Sequence, residues 1–186
     1  MMYVKQLKIK LGNENYIIRL LKSSDEKMLT KFFKSLSEET KKKYSPHKFS
    51  AYMSKKICLN INKNYKRVIC IHNNLIVGYC IMYFKLRQWE KIRYDKAKIF
   101  IKEEDVCTLA PCVLDSYHHK GIGSKMFHYA CEVAKIYNKN IIILWGGVVV
   151  KNHSAVNYYK KMNLKILKKW LHPKARVMCY DMYLEI

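Results

Sequence analysis

Glycine and proline are scarce in this chain: six and three in 186 residues. Nothing collagen-like can be built from that. No Pro-, Gly- or Ser-rich stretch marks a boundary, so one domain is expected over residues 1–186. This length supports one full hydrophobic core and is too short for two comfortable ones. Long apolar runs are missing too; none approaches the ~18 uninterrupted residues of a membrane helix. The opening residues run into alternating lysines, not into an apolar signal core, so a cytoplasmic chain off the membrane is expected. Paired cysteines are also missing. The seven cysteines are odd in number and lack a Cys-x-x-Cys pair, and Cys70 and Cys80 sit inside apolar strand-like runs. They read as small buried hydrophobes in a reducing compartment, with no metal site expected.

Acidic residues are few, 14 against 36 basic ones, for a formal net charge of +22. Only five of the basic residues are arginine, the side chain suited to bidentate phosphate recognition. Such a charge can signal an anionic partner or a lysine-rich composition on a solvated surface. The abundance of lysine, isoleucine, asparagine and tyrosine favours composition. Nucleic acid is not the expected partner, although the charge leaves it open. Either way the field would attract a polyphosphate.

What is present reads as alternating strands and helices. Residues 8–20 alternate around Gly12-Asn13 and predict a strand or hairpin. Ser23-x-x-Glu26 has capping-box spacing ahead of a helical stripe of Met28, Leu29, Phe32, Phe33 and Leu36. Ser37-Glu38-Glu39 predicts a second, shorter helix ending before Pro46, and a third is expected over residues 50–61. Residues 67–71 and 75–83 read as a hairpin around Asn73-Asn74. Residues 86–103 read as an extended loop or strand extension. Residues 106–114 form a strand interrupted by Pro111, which demands an edge or a bulge. A helix over 121–137, a doubly buried strand over 140–145, a short helix over 154–162 and two final strands complete the series. The fold class is α/β of the α+β type: a mixed, mostly antiparallel central sheet of about six to seven strands with helices on both faces.

One segment carries more chemistry than the rest. An apolar strand ending at Val113-Leu114 runs through Asp115-Ser116-Tyr117-His118-His119-Lys120 into Gly121-Ile122-Gly123-Ser124 and an amphipathic helix. A strand–turn–helix of this kind aims free N–H groups and the positive end of a helix dipole at one point, where a phosphate can bind. The dinucleotide fingerprint does not fit, because methionine stands at position 126 where a third glycine belongs. No Gly-Lys-Ser follows, so a P-loop does not fit either. After the buried strand comes Asn152-His153-Ser154-Ala155-Val156-Asn157-Tyr158-Tyr159, then Lys160-Lys161-Met162-Asn163-Leu164.

These two segments, in this order and context, resemble the GNAT superfamily of acyl-CoA-dependent N-acetyltransferases. Its phosphate motif reads Gln/Arg-x-x-Gly-x-Gly/Ala and its later signature Asn-x-x-Ala-x-x-x-Tyr-x-x-x-Gly-Phe. The close match spans residues 105–165. Tyr16-Ile17-Ile18-Arg19-Leu20 before Ser-Ser-Asp is similar to the family's first strand and helix start. His118 replaces the usual Gln or Arg, which weakens side-chain help to the phosphates and leaves the backbone donors. Asn163-Leu164 replaces Gly-Phe, and asparagine tolerates the left-handed turn.

The resemblance implies a splayed parallel strand pair at a cleft for acetyl-CoA. Main-chain N–H groups of His118, His119, Lys120, Gly121, Ile122, Gly123 and Ser124 would hold its pyrophosphate. Cys112, Val113 and Leu114 would pair with its pantetheine arm, with Pro111 as bulge former and Val113 N–H on the thioester carbonyl. Asn152 resembles a cofactor-contacting asparagine and reads equally as a helix N-cap. Tyr159 stands at the general-acid tyrosine, and Asp105 at the start of the strand is the candidate base. The implied reaction is direct acetyl transfer to a primary amine, on a small molecule or a peptide, by a monomer or homodimer. The acceptor side would be built by residues 36–61 and 170–177; the latter hints at an acidic acceptor. The alternative is an idle acyl-CoA-binding or basic nucleic-acid-binding module on the same fold.

Overall fold

A computed structural model of the chain describes residues 4–44, 46–62, 64–173 and 175–186. Residues 1–3 and Lys174, on which two of the sequence readings touch, lie outside the described residues.

Nine strands form one sheet among the described residues. β1 (Leu7–Leu11) and β2 (Glu14–Leu20) make a hairpin around Gly12, whose φ is +60°. β3 (Tyr65–His72) and β4 (Leu75–Tyr83) make a second around Asn73 and Asn74. Both asparagines are left-handed, at φ +47° and +60°, as a two-residue turn between twisted strands requires. β5 (Val106–Val113) runs antiparallel to β4 and parallel to β6 (Ile141–Leu144). β6 and the short β7 (Val148–Val149) lie in succession along one edge of β9 (Met178–Glu185), and β8 (Lys165–Leu171) lies on the other. All pairings other than β5–β6 are antiparallel. The sheet is wider than the expected six to seven strands because the opening segment folds back as a hairpin and the β6 line resumes as β7.

Side chains alternate between two covered faces. On one, α1 (Glu26–Ser35) and α3 (Ala51–Leu59) bury Leu29, Phe32, Phe33 and Ile57 against Ile69, Tyr79 and Ile81. The short α2 (Glu38–Lys43) follows α1 and is capped by Ser37, whose Oγ accepts the Thr40 N–H. On the other face, α5 (Ile122–Ile136) buries Ile122, Met126, Ala130 and Val133 against Val77, Cys107, Leu109 and Ile142, and α6 (His153–Lys161) adds Val156. Each fully buried aliphatic side chain contributes roughly 1.5–3 kcal/mol. β4, buried along nearly its whole length, is the spine on which both layers rest.

Three local expectations are corrected. Residues 86–103 are not a loop throughout: α4 (Gln88–Lys96) lies there and covers Val106 and Ile143 on the α1 face. Its inward positions four apart are Glu90 and Tyr94, so the apolar stripe that announces a helix is missing. The Ser23–Glu26 box does not form. Instead, Asp25 accepts the Lys22 N–H and a two-pronged bond from Arg19 at 2.6 and 2.7 Å. Burial alone would raise the Asp25 carboxyl, but these donors hold it below its ordinary value. Pro111 makes no bulge, since the β4–β5 register is unbroken from Gly78↔Val113 to Tyr83↔Thr108. The register shifts instead between β3 and β4, at Cys70/Ile71, and between β8 and β9, at Ile166/Lys168.

Gly147, at φ +73°, has Tyr180 O 2.5 Å from where a Cβ would stand. Gly147→Ala combines left-handed strain with a backbone clash. It should destabilise the fold by about 2 kcal/mol or more, read as a lowered midpoint in thermal or urea unfolding.

Candidate active site

The site begins where two strands part. The last bond between β5 and β6 runs from Trp145 N–H to Leu109 O, 2.9 Å. Beyond it β5 stays with β4, while the chain after β6 turns through Gly146 and Gly147 and follows β9. A fork therefore opens along the last residues of β5. Asp105 O and Leu109 O both point toward β6, so by strand alternation the main-chain groups of residues 111 and 113 point into the fork. Pro111 has no N–H to offer, so it leaves no donor orphaned on this open edge. Val113 N–H is the first main-chain donor beyond the last β5–β6 bond. The Val113 carbonyl is taken by His118 Nε2 at 3.0 Å. Leu114 N–H turns back to Val77 O. Cys112 is buried on the α1 face, and burial pushes its thiol up to about 12.

Beyond the strand, a single turn of 3₁₀ helix (Asp115–Tyr117) leads to the mouth of α5. His118 N–H is spent on Asp115 O at 3.1 Å, which removes it from the expected donor set. The N–H groups of His119, Gly121, Ile122, Gly123 and Ser124 have no protein acceptor among the described residues. His119 (φ +60°) and Gly121 (φ +79°) are both left-handed. Ile122 is buried and roots the helix start in the core. The Lys120 ammonium lies 4.8 Å from the Tyr117 ring centre. This arrangement presents converging donors at a positive helix end.

α6 closes one side. Asn152 Oδ1 accepts the Ala155 N–H at 3.2 Å, so its carbonyl serves as the helix N-cap. Asn163 ends the helix at φ +64°, the left-handed geometry expected of it. Tyr158 donates to Gly123 O at 2.8 Å, tying α6 to the first turn of α5. Tyr159 packs on the α5-face core with its ring centre 5.0 Å from that of Tyr158. Burial, with smaller contributions from Cys80 and Cys112, holds the Tyr159 phenol well above its ordinary value. It is a protonated donor at neutral pH.

Asp105 is not brought to the fork. It lies ahead of β5, eight residues before Val113, which is roughly 26 Å of strand, and its main chain bonds Asn140 and Lys102. Of the expected acceptor segments, residues 170–177 have Trp170 stacked on Arg93, while in residues 36–61 Tyr44 donates to Ala110 O, on the β4 side of β5, at 3.3 Å.

With the geometry established, the comparisons are direct. The profile of the Acetyltransferase (GNAT) family matches residues 29–164. The chain belongs to the GNAT acetyltransferase family. Its fold matches the GNAT domain of Streptomyces lividans PAT, with a TM-score of 0.74 at 12% identity over 97% of both chains. It also matches the ribosomal-protein-S5-alanine acetyltransferase of Vibrio fischeri, with a TM-score of 0.74 at 13% identity over 98% and 97%. A third match is yncA of Salmonella typhimurium, solved with its cofactor acetyl-CoA, with a TM-score of 0.66 at 12% identity over 91% and 93%. In sequence, it is 28% identical over 81 residues to an uncharacterized N-acetyltransferase of Methanocaldococcus jannaschii, a match spanning 41% of this chain and 35% of that one.

This GNAT chain carries a second group that sequence reasoning missed. On the α1 face, Arg87 lies 4.0 Å from the Trp145 ring and 4.3 Å from Trp89; Arg93 lies 4.6 Å from Trp89 and 3.9 Å from Trp170. Arg87 pairs with buried Glu90, and Arg93 with buried Asp181. Glu90 also accepts the Gly146 N–H at 3.2 Å, which fixes the turn at the fork. Burial raises the Asp181 carboxyl, although the Arg93 bonds oppose it. The only sequence signal was compositional: all three tryptophans and two of the five arginines meet here.

Tyr158→Phe removes the bond to Gly123 O and keeps the ring. It should cost about 1 kcal/mol of stability, seen as a small drop in the urea midpoint with an unchanged slope.

Proposed function

We propose that the protein is an acetyl-CoA-dependent N-acetyltransferase acting on a primary amine by direct transfer. The observation that carries this reading is the set of unpaired amides at the mouth of α5 beside the open edge of β5. Converging N–H groups at a helix N-terminus fit a pyrophosphate. An open strand edge with the Val113 donor fits an extended amide-bearing arm paired as an extra strand. Acetyl-CoA supplies an activated thioester; the protein supplies position and donors.

In this reading His119, Gly121, Ile122, Gly123 and Ser124 hold the phosphates through their amides, with Lys120 alongside. Val113 N–H donates to the thioester carbonyl oxygen as negative charge grows there. Tyr159 gives its proton to the departing sulfur, while the attacking nitrogen loses a proton to solvent as the amide forms and solvent reprotonates the phenolate, and Asn152 keeps the start of α6 in register with the fork. The acceptor approaches from the α1 face, because attack on a planar carbonyl comes from above its plane and α5 and α6 occupy the opposite side. Two copies of the fold are not required for any of these contacts, and the whole chain 1–186 is read as one acetyltransferase domain.

Calorimetry should show acetyl-CoA binding, with free coenzyme A competing for the same site. Thiol release in the presence of a panel of primary amines should fall about 10- to 100-fold in Tyr159→Phe, with acetyl-CoA affinity and unfolding midpoint unchanged. Absence of heat with acetyl-CoA at millimolar concentration would refute the reading.

A further inference from the structure

The turn at the mouth of α5 does not hold its own shape. Between His119 and Ser124, five amides have no protein acceptor among the described residues, so no ladder of main-chain bonds supports them. His119 and Gly121 both stand at positive φ, and for a histidine that conformation is unfavourable. Support has to come from side chains outside the turn.

His72, the last residue of β3, reaches that turn from the sheet. It is a buried polar side chain, 8% exposed. Its ring stacks on Tyr16 of β2, with centres 4.5 Å apart and planes 24° apart. Nε2 lies 3.0 Å from Glu14 Oε2, and Nδ1 lies 3.0 Å from Tyr117 Oη. A carboxylate only accepts, so Nε2 carries a hydrogen, and Nδ1 of the neutral ring accepts the Tyr117 O–H. The stack fixes the ring plane and Glu14 fixes the tautomer, which aims the Nδ1 lone pair at Tyr117. Tyr117 ends the 3₁₀ turn two residues before His119. Its ring packs on the α5-face core, and the Lys120 ammonium lies 4.8 Å from the ring centre. The β1–β2 hairpin meets the turn again at Leu11, whose Cδ2 is 3.9 Å from where a Cβ on Gly121 would stand.

We propose that His72 is a positioning residue for the coenzyme. Through Tyr117 it holds the turn in the shape whose amides converge on the diphosphate, and so it sets the affinity for acetyl-CoA and not the rate of transfer. This rests on the N-acetyltransferase reading and adds to it a residue outside the fork. A turn already in its bound shape loses less freedom on binding, and the difference appears as affinity. Tyr159 and Val113 stand on other elements, α6 and β5, so the transfer step does not depend on this tether.

The test compares two substitutions that put a polar atom where one or the other imidazole nitrogen stands. His72→Asn keeps an acceptor at the Nδ1 position for Tyr117. His72→Gln reaches toward Glu14 and leaves Tyr117 unheld. Both lose the stack on Tyr16, so their unfolding midpoints should fall alike. In calorimetry, His72→Gln and Tyr117→Phe should each weaken acetyl-CoA about 3- to 10-fold. Free coenzyme A should weaken equally, because it carries the same diphosphate. His72→Asn should stay within about twofold of wild type. The double variant His72→Gln/Tyr117→Phe should lose no more than either single change. Thiol release should show the same rise in KM for acetyl-CoA at unchanged kcat. Unchanged acetyl-CoA affinity in His72→Gln or Tyr117→Phe, equal losses in His72→Asn and His72→Gln, additive losses in the double variant, or a fall in kcat at constant KM would overturn the inference. In each of those cases acetyl-CoA still binds the wild-type protein, and the acetyltransferase reading stands. If the wild-type protein gives no heat with acetyl-CoA, that reading fails and the inference fails with it.

Discussion

β5 and β6 share a ladder only as far as the Trp145–Leu109 bond. A parallel pair inside a mixed sheet usually continues until one strand ends. Here each strand is claimed by a different antiparallel neighbour, β5 by β4 and the β6 line by β9. Antiparallel pairing is slightly the more stable of the two per residue, so the parallel seam is the one that opens. Pro111 cannot donate across that seam, and Gly147 lets the other side turn against Tyr180 where no Cβ fits. The fork is thus built from the absence of two groups, an N–H and a Cβ.

Everything around the fork stabilises that opening. On the α5 face, Tyr158 ties α6 to the first turn of α5, linking the helix that carries Tyr159 to the unpaired amides. On the α1 face, Glu90 holds the turn after β6 through Gly146, and Arg93–Asp181 pins α4 to β9. Buried ion pairs add little net stability, because desolvation offsets their attraction. Their value here is geometric: stacked guanidinium planes between tryptophans leave α4 few alternative seats. Asp115 does similar work at the surface, accepting from Ser37 and Thr40 and so tying the start of α2 to the turn before α5.

Periodicity in the sequence was enough to place α1, α5 and the strands of the second hairpin, because their apolar residues recur at the spacing of the element they form. The left-handed positions at Asn73, Asn74 and Asn163 were also readable, since asparagine is one of the few residues that accept them. α4 was not readable. Its buried positions are Glu90 and Tyr94, and a charged residue goes inside only when a partner from elsewhere meets it. The role assigned to Asp105 suffered from the same blindness: sequence proximity to β5 says nothing about which end of the strand faces the fork. His118 seemed one donor among seven, and only the local 3₁₀ turn shows its N–H already spent.

The chain alone determined the order of most of its elements, the family they belong to and the place of the glycine turn, because these follow from local rules of periodicity, backbone freedom and motif spacing. Tertiary structure decided the rest: which strand edge stays open and which amides remain unpaired among the described residues. Those are properties of what is missing next to a group. An absence is fixed only when every other part of the chain has taken its position.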